Sequence, residues 1–209
     1  MNLLYPWFKL DSLNGFVAGA ISLFSVLTVI YSLGFMKGKQ QLVQYYAYTI
    51  LTALAAVLAV LANNLLLLVL LWGFLGLTLY MLINMGDDAS AIAKKTFIIG
   101  GGSDALMLFG IGVLYYMTGT FQMDKIKISL NTDHHLLPTI AYLCIALAAF
   151  AKAGAMPLHS WIPDCAESAP VPVVAFLPAS LDKLLGIYLL ARISLDLFVM
   201  SEALNIFLM

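Results

Sequence analysis

Four ionisable residues interrupt long apolar stretches of this sequence: Asp104, Lys152, Asp182 and Lys183. A lysine or aspartate at the centre of a membrane helix costs about 2.5–3.5 kcal/mol on insertion scales, so it normally faces the bundle interior, a partner or water. Lys152 lies in AAFAKAGAMP, five residues before Pro157, among small residues that allow close helix contact. Desolvation favours a neutral amine, and a nearby carboxylate favours the ammonium. A lysine held between these effects can load and release a proton. From position alone, Lys152 can also be a helix-end lysine that snorkels to the interface. Lys183 sits deep in PASLDKLLGIYLL, where snorkelling is harder, and an interior or paired role is expected. Asp182 is its neighbour, but successive helical residues diverge by about 100°, so the two can serve different partners. Asp104 follows Gly100, Gly101 and Gly102. It reads either as a helix-start charge or as a counter-ion for a lysine. Arg192 and Asp196 stand four residues apart and read as an interfacial pair.

The elements that carry these residues must cross a membrane. The chain has 209 residues, of which 63% are hydrophobic and 10% charged, and its mean hydropathy is +0.98. Soluble domains carry about 25% charged residues. The composition therefore excludes a disordered tail, a secreted disulfide scaffold and an ordinary cytosolic enzyme. A net charge of −1 offers no basic field for nucleic acid. Cys144 and Cys165 form no CxxC or Cys/His cluster. Cys144 reads as a small buried hydrophobe, and Cys165 lies in a more polar stretch.

Six segments are long and apolar enough to span, near 13–36, 42–62, 65–86, 96–118, 136–156 and 173–199. The second and third are divided only by Asn63 and Asn64. The first run is too long for a cleavable signal and is expected to remain as a span. Loop 119–135 carries Asp124, Lys125, Lys127, Asp133, His134 and His135 and reads as a solvated turn. The His pair has no third ligand nearby, so neither a metal nor a cofactor is expected. Lys37, Lys39, Lys94 and Lys95 on one side outnumber Lys9, Lys125 and Lys127 on the other, which weakly favours the first side as cytoplasmic. Five of the seven prolines fall between 157 and 178, so the stretch after Lys152 cannot be a regular helix. Broken helices beside ionisable groups commonly mark ion or substrate paths.

The run AKAGAMPLHSWIPDCAESAPVPV, 151–173, resembles the signature of antiporter-like subunits of respiratory complex I, membrane-bound hydrogenases and multisubunit cation/proton antiporters. Its frame is Lys152, Pro157, Leu158, His159, Trp161, Pro163, Asp164, Pro170 and Pro172. The likeness extends through KKTFIIGGGSDALM and DKLLGIYLLARI, and more weakly to FKLDSLNGF and YSLGFMKG. The resemblance implies an all-α integral membrane fold of about six transmembrane helices with one broken helix. It implies a flanking helix over 1–40 and one five-helix repeat over 41–209, broken near 136–172. It also implies a hydrated route through mid-membrane lysines with carboxylate partners. On that route Lys152 matches the broken-helix lysine, Lys183 the lysine that some members carry on the next helix, and Asp104 the aspartate of the preceding span.

Three departures accompany the likeness. Gly73 stands where the family normally has a glutamate, and Gly101 where some relatives have an arginine. The length covers a flanking helix and one repeat, so another chain is expected to supply the second. A buried lysine without a carboxylate is strained toward its neutral form. Asp182, Asp104 or a partner-chain carboxylate is therefore expected to replace the missing glutamate.

The resemblance implies a non-catalytic, ion-translocating subunit of a complex I-like redox pump in a cell membrane, bacterial or archaeal by preference. Its partners would be other membrane subunits and lipid. A membrane-bound hydrogenase or a related ferredoxin-linked complex is favoured as parent over the NADH–quinone enzyme, and the alternatives are a structural spacer with a dead channel or an antiporter-like subunit of the NADH–quinone enzyme. His159 reads as a loop anchor or a member of the proton route. A membrane enzyme built on His159 and Asp164 lacks a nucleophile motif such as GxSxG and is rejected.

Overall fold

A computed structural model describes residues 7–39, 41–130 and 136–199. The spans are α1 (Ser12–Phe35), α2 (Leu42–Leu61), α3 (Leu65–Ile83), α4 (Ser90–Thr118), α5 (Leu136–Ala153) and a sixth, interrupted one over Val171–Leu197. The fold is all-α and integral to the membrane. Helices are the open-ended elements that pair their backbone groups within the segment, as lipid requires. Asp133, His134 and His135 lie outside the described residues.

Local chemistry sets the helix ends. Asp11 caps α1 reciprocally with Asn14: the Asn14 amide donates to the Asp11 carboxylate, and the Asp11 amide donates to the Asn14 side chain. Asn64 accepts hydrogen bonds from the amides of Leu66 and Leu67, so the Asn63–Asn64 turn starts α3. That turn is clasped on one side by the Asn63 amide donating to the Trp7 carbonyl. On the other side, the Met123 amide donates to the Asn63 carbonyl.

Two boundaries differ from expectation. Helix α4 starts at Ser90 rather than near 96, which places Lys94 and Lys95 on its first turns. Polar residues extend a helix beyond the hydrocarbon, where hydropathy gives no signal. Helix α5 ends at Ala153 rather than near 156. Its stop is Gly154, at φ +69°, not the prolines beyond. The Ala155 amide donates to the Phe150 carbonyl and the Gly154 amide to the Ala151 carbonyl, which closes the helix with a left-handed glycine. A turn then leads to the short α6 (Trp161–Ser168).

The last span opens with α7 (Val171–Phe176), widens into a π turn over Leu177–Leu181 and continues as α8 (Asp182–Arg192). Pro178 has no amide to donate, so the regular ladder cannot pass through it. The ladder resumes with the Asp182 amide donating to the Leu177 carbonyl, a five-residue step. A second π turn, Ile193–Leu197, leads into strand β2 (Phe198–Val199). Strand β2 pairs in parallel with β1 (Ile128–Ser129), inside the loop read as a simple solvated turn.

Helix α5 lies between α4 and α8. Alanines make up much of its buried face: Ala141, Ala146, Ala148, Ala149 and Ala151 are buried, beside Pro138, Tyr142, Ile145 and Lys152. Glycines on the neighbours complete the approach. A Cβ at Gly110 of α4 would stand 2.9 Å from the Ala141 carbonyl oxygen, and one at Gly186 of α8 2.5 Å from that of Ala149. Small residues bring helix backbones together in membranes, where no hydrophobic force exists between helices. The Gly110 contact seats α4 on the first half of α5, and the Gly186 contact seats α8 on the end of α5 that bears Lys152.

Candidate functional site

Lys152 occupies the last turn of α5. Its Nζ lies 3.4 Å from Oδ1 of Asp182, at the start of α8, with the two side chains 8% and 1% exposed. Neither Asp182 oxygen accepts a hydrogen bond of good geometry from a described residue. The contact is therefore chiefly Coulombic. The same ammonium sits 5.7 Å from the centre of the Trp72 ring on α3, within cation–π range. Trp72 is fully buried. Three helices thus converge on one amine, with a carboxylate from α8 and an indole face from α3.

Asp104 of α4 borders the same space. It lines a small cavity together with Lys152, Thr96, Ser103, Gly76 and Trp161. A Cβ at Gly76 would stand 3.6 Å from the Asp104 Oδ2. Asp104 and Lys152 interact electrostatically but are not within ion-pair distance. The Trp161 indole donates to the Ala151 carbonyl at 3.2 Å, which ties α6 to the turn that carries Lys152. Sequence reading assigned Trp161 no role, although the left-handed Gly154 beside it folds the chain back onto α5.

The other expected residues lie apart. Lys183 is exposed on the outer side of α8 and forms no ion pair or hydrogen bond with a described residue. Among the described residues Lys183 has no interior partner, because the helix turns it away as it turns Asp182 inward. His159 is exposed in the turn between α5 and α6. Asp164 of α6 pairs with Lys95 of α4 at 2.5 Å, in an exposed bridge that pins the broken segment. Cys165 is buried and Cys144 half-buried, both as free thiols.

Gly73 is exposed on α3, and a Cβ there would meet nothing within 4 Å. The carboxylate that pairs with Lys152 thus comes from α8 and not from the α3 position at which the resemblance implies a glutamate.

A second charged cluster lies at the end of the bundle where α8 finishes. Arg192 Nη1 is 2.5 Å from Asp196 and 2.8 Å from Asp11, and its Nε donates to the Tyr188 hydroxyl. That hydroxyl in turn donates to the Val60 carbonyl. The pair expected at 192 and 196 is therefore one part of a larger knot that joins α1, α2 and α8. Burial pushes the Asp11 carboxyl up. The hydrogen bonds from Arg192 and Asn14, with the charges of Arg192 and Lys9, outweigh burial and hold it below the usual aspartate range.

A broken helix, a buried lysine paired across helices and six spans define an antiporter-like membrane domain. Residues 62–209 match the family described as NADH:quinone oxidoreductase/Mrp antiporter, TM, and the chain belongs to it. It is 29% identical over 223 residues to NAD(P)H-quinone oxidoreductase subunit 5, chloroplastic, of Chaetosphaeridium globosum, covering 97% of this chain and 33% of that protein. It is 27% identical to NAD(P)H-quinone oxidoreductase chain 5 of Picosynechococcus sp., over 95% of this chain and 31% of that one. Among solved structures, it is similar to the Mrp complex of Dietzia sp., with TM-score 0.82 and 27% identity, covering 91% of this chain and 21% of that one. Respiratory complex I from Thermus thermophilus with bound aureothin matches with TM-score 0.70 and 25% identity, over 84% of this chain and 39% of that one. The chain spans about a third of the length of these curated relatives.

Proposed function

We propose that this antiporter-like domain translocates protons or small cations through Lys152, with Asp182 as its counter-ion and Asp104 as the next acidic group. The observation that carries the reading is the buried 3.4 Å contact between Lys152 and Asp182 inside the spans. The carboxylate stabilises the ammonium while the pair is closed. When the pair separates, Lys152 loses its counter-ion and can hand its proton onward. Opening and closing the pair therefore couples helix movement at α5 and α8 to proton loading.

The rest of the route lies in partner segments. Lys183 sits within the last span, yet it faces away from the bundle. An uncovered lysine there is costly in lipid, so a neighbouring membrane segment with a carboxylate or a hydrated groove is its natural cover. We assign that cover to the second repeat of the assembly. His159 is exposed in the turn after α5, and in this reading it serves at a mouth of the route rather than at its centre.

None of the relatives described above is a hydrogenase; they are quinone-reductase and Mrp proteins. That supports a place in an NAD(P)H–quinone or Mrp-type assembly over the hydrogenase expected from sequence. The relatives include chloroplast and cyanobacterial proteins, so an energy-coupling membrane of bacterial or organellar type fits better than an archaeal one. The spacer reading draws on Gly73, but Asp182 supplies a carboxylate from another helix, which weakens it.

The test is ion translocation by the intact assembly with Lys152→Met and Lys183→Met. Loss with either substitution, in an assembled complex, supports translocation. Unchanged transport with both makes the chain a spacer.

A further inference from the structure

A cavity of about 560 Å³ opens beside the Arg192 knot, at the end of the bundle where α8 finishes. That volume is in the range of small-ligand sites. Lys9, Lys127 and Arg192 line it together with Asp11, Asp124 and Asp196. Arg192 is committed to Asp11 and Asp196. Lys9, Asp124 and Lys127 are exposed and form no ion pair with a described residue. Asp11 caps α1 and Arg192 ends α8, so the cavity lies at the level where the spans leave the hydrocarbon. Trp7, Tyr115 and Tyr116 are exposed at this same end of the bundle, as aromatic residues are in a headgroup layer.

Main-chain hydrogen bonds build the cavity walls. The Lys9 amide donates to the Leu61 carbonyl, the Asn63 amide to the Trp7 carbonyl and the Leu65 amide to the Phe121 carbonyl. The Asn14 side chain donates to the Lys9 carbonyl, which fixes the backbone from which the Lys9 amine extends. On the opposite wall, β1 pairs with β2 so that Ile128 stands beside Phe198. That register sets Lys127, the residue before β1, against the segment that carries Asp196. Charged side chains from distant parts of the sequence are thus held around one space before any ligand arrives, which lowers the cost of binding.

We infer that this cavity is a headgroup site for phosphatidylethanolamine, a zwitterionic phospholipid with a primary ammonium. Lys9 and Lys127 donate to the phosphate, and Asp124 accepts from the ammonium. Three positive and three negative side chains line the cavity, so it matches a headgroup that carries both charges. Anionic lipids are held by basic pockets, and here a phosphate alone would leave Asp124 uncompensated. A trimethylated ammonium has no N–H to donate and is bound best by aromatic faces, whereas no aromatic side chain is among the described residues that line this cavity. Leu195 lines the rim and is 73% exposed, which offers the first acyl contact. The site stands apart from Lys152 and is independent of the translocation reading.

The experiment titrates the delipidated full chain in detergent with phosphatidylethanolamine, phosphatidylcholine or phosphatidylglycerol and counts bound lipid by native mass spectrometry. Phosphatidylethanolamine should bind several-fold more tightly than either competitor. Lys9→Gln with Lys127→Gln should weaken it by about tenfold or more. Asp124→Asn should bring it to the level of phosphatidylcholine and leave phosphatidylglycerol no weaker. Lys125→Gln, exposed in the same loop but outside the cavity, should change nothing. The side chains at 9, 124 and 127 are exposed and unpaired, so an unchanged thermal midpoint shows that each variant keeps the fold. Equal affinity for the three lipids, or a loss in the Lys9→Gln, Lys127→Gln variant no greater than in Lys125→Gln, overturns the site. Glycerophosphoethanolamine, the headgroup without its chains, should bind far more weakly than the lipid; equal binding would make the cavity a site for a soluble zwitterion and overturn the lipid assignment.

Discussion

Gly186 of α8 lies so close to Ala149 of α5 that a Cβ at position 186 would stand 2.5 Å from the Ala149 carbonyl oxygen and 2.7 Å from the Ala153 Cβ. This approach, one turn after Asp182 and one turn before Lys152, fixes the distance across which the ion pair forms. Gly186→Val is expected to push the helices apart. Overpacking of this kind costs about 1–3 kcal/mol, read as a lower midpoint in thermal unfolding of the detergent-solubilised protein. Gly112→Val, at a position where a Cβ meets nothing, serves as the reference and is expected to leave the midpoint nearly unchanged.

Gly154 ends α5 in the left-handed region, and a Cβ there would collide with the Ile162 side chain. Gly154→Ala is expected to destabilise by more than the roughly 1 kcal/mol that conformational preference alone costs. The added steric cost should fall when Ile162→Ala is introduced beside it. Thermal unfolding of the single and double variants measures the coupling.

The knot at the end of α8 gives a pH dependence. Asp11 titrates below its usual range in the folded protein because Arg192 and the Asn14 amide hold it charged. Its contribution is full above the unfolded value of about 3.9 and is lost as pH falls through the lower folded value. The stability gap between parent and Asp11→Asn is therefore expected to be wide at pH 6 and to close as pH drops below about 4. A gap that widens toward low pH contradicts the assignment.

The exposed bridge between Lys95 and Asp164 is a contrasting case. Exposed ion pairs contribute about 0.2–1 kcal/mol and are screened by salt. Lys95→Ala is expected to lower stability by less than about 1 kcal/mol at low salt, with less effect at high salt. Chemical denaturation at two ionic strengths reads both values.

The membrane fold was legible because lipid imposes length and composition on each span, and because Asn63 and Asn64 interrupt what would otherwise be one run. Helix ends were less legible. Gly154 stops α5 through a conformation that hydropathy does not register, and polar Ser90 to Lys95 continue a helix where hydropathy falls. Lys152 announced itself by its charge and setting. Asp182 was one of several candidate partners, because it stands thirty positions after Lys152, beyond a broken helix. Only the packing of Gly186 on Ala149 selects it. Lys183 was expected inside for the same reason as Lys152, yet adjacent residues on one helix cannot both face α5. The β1–β2 pair is two residues long and joins segments about seventy apart, too short for any alternation to show.

The most direct test is the rate of ion translocation by the assembled complex carrying Asp182→Asn or Asp182→Glu. Removing one partner of a buried pair leaves the other charge uncompensated. Asp182→Asn is expected to slow translocation by about tenfold or more, the equivalent of 1.4 kcal/mol at the transition state, and Asp182→Glu to retain much of the rate. A complex that assembles fully with Asp182→Asn and translocates at the parental rate would contradict the role given to the Lys152–Asp182 pair.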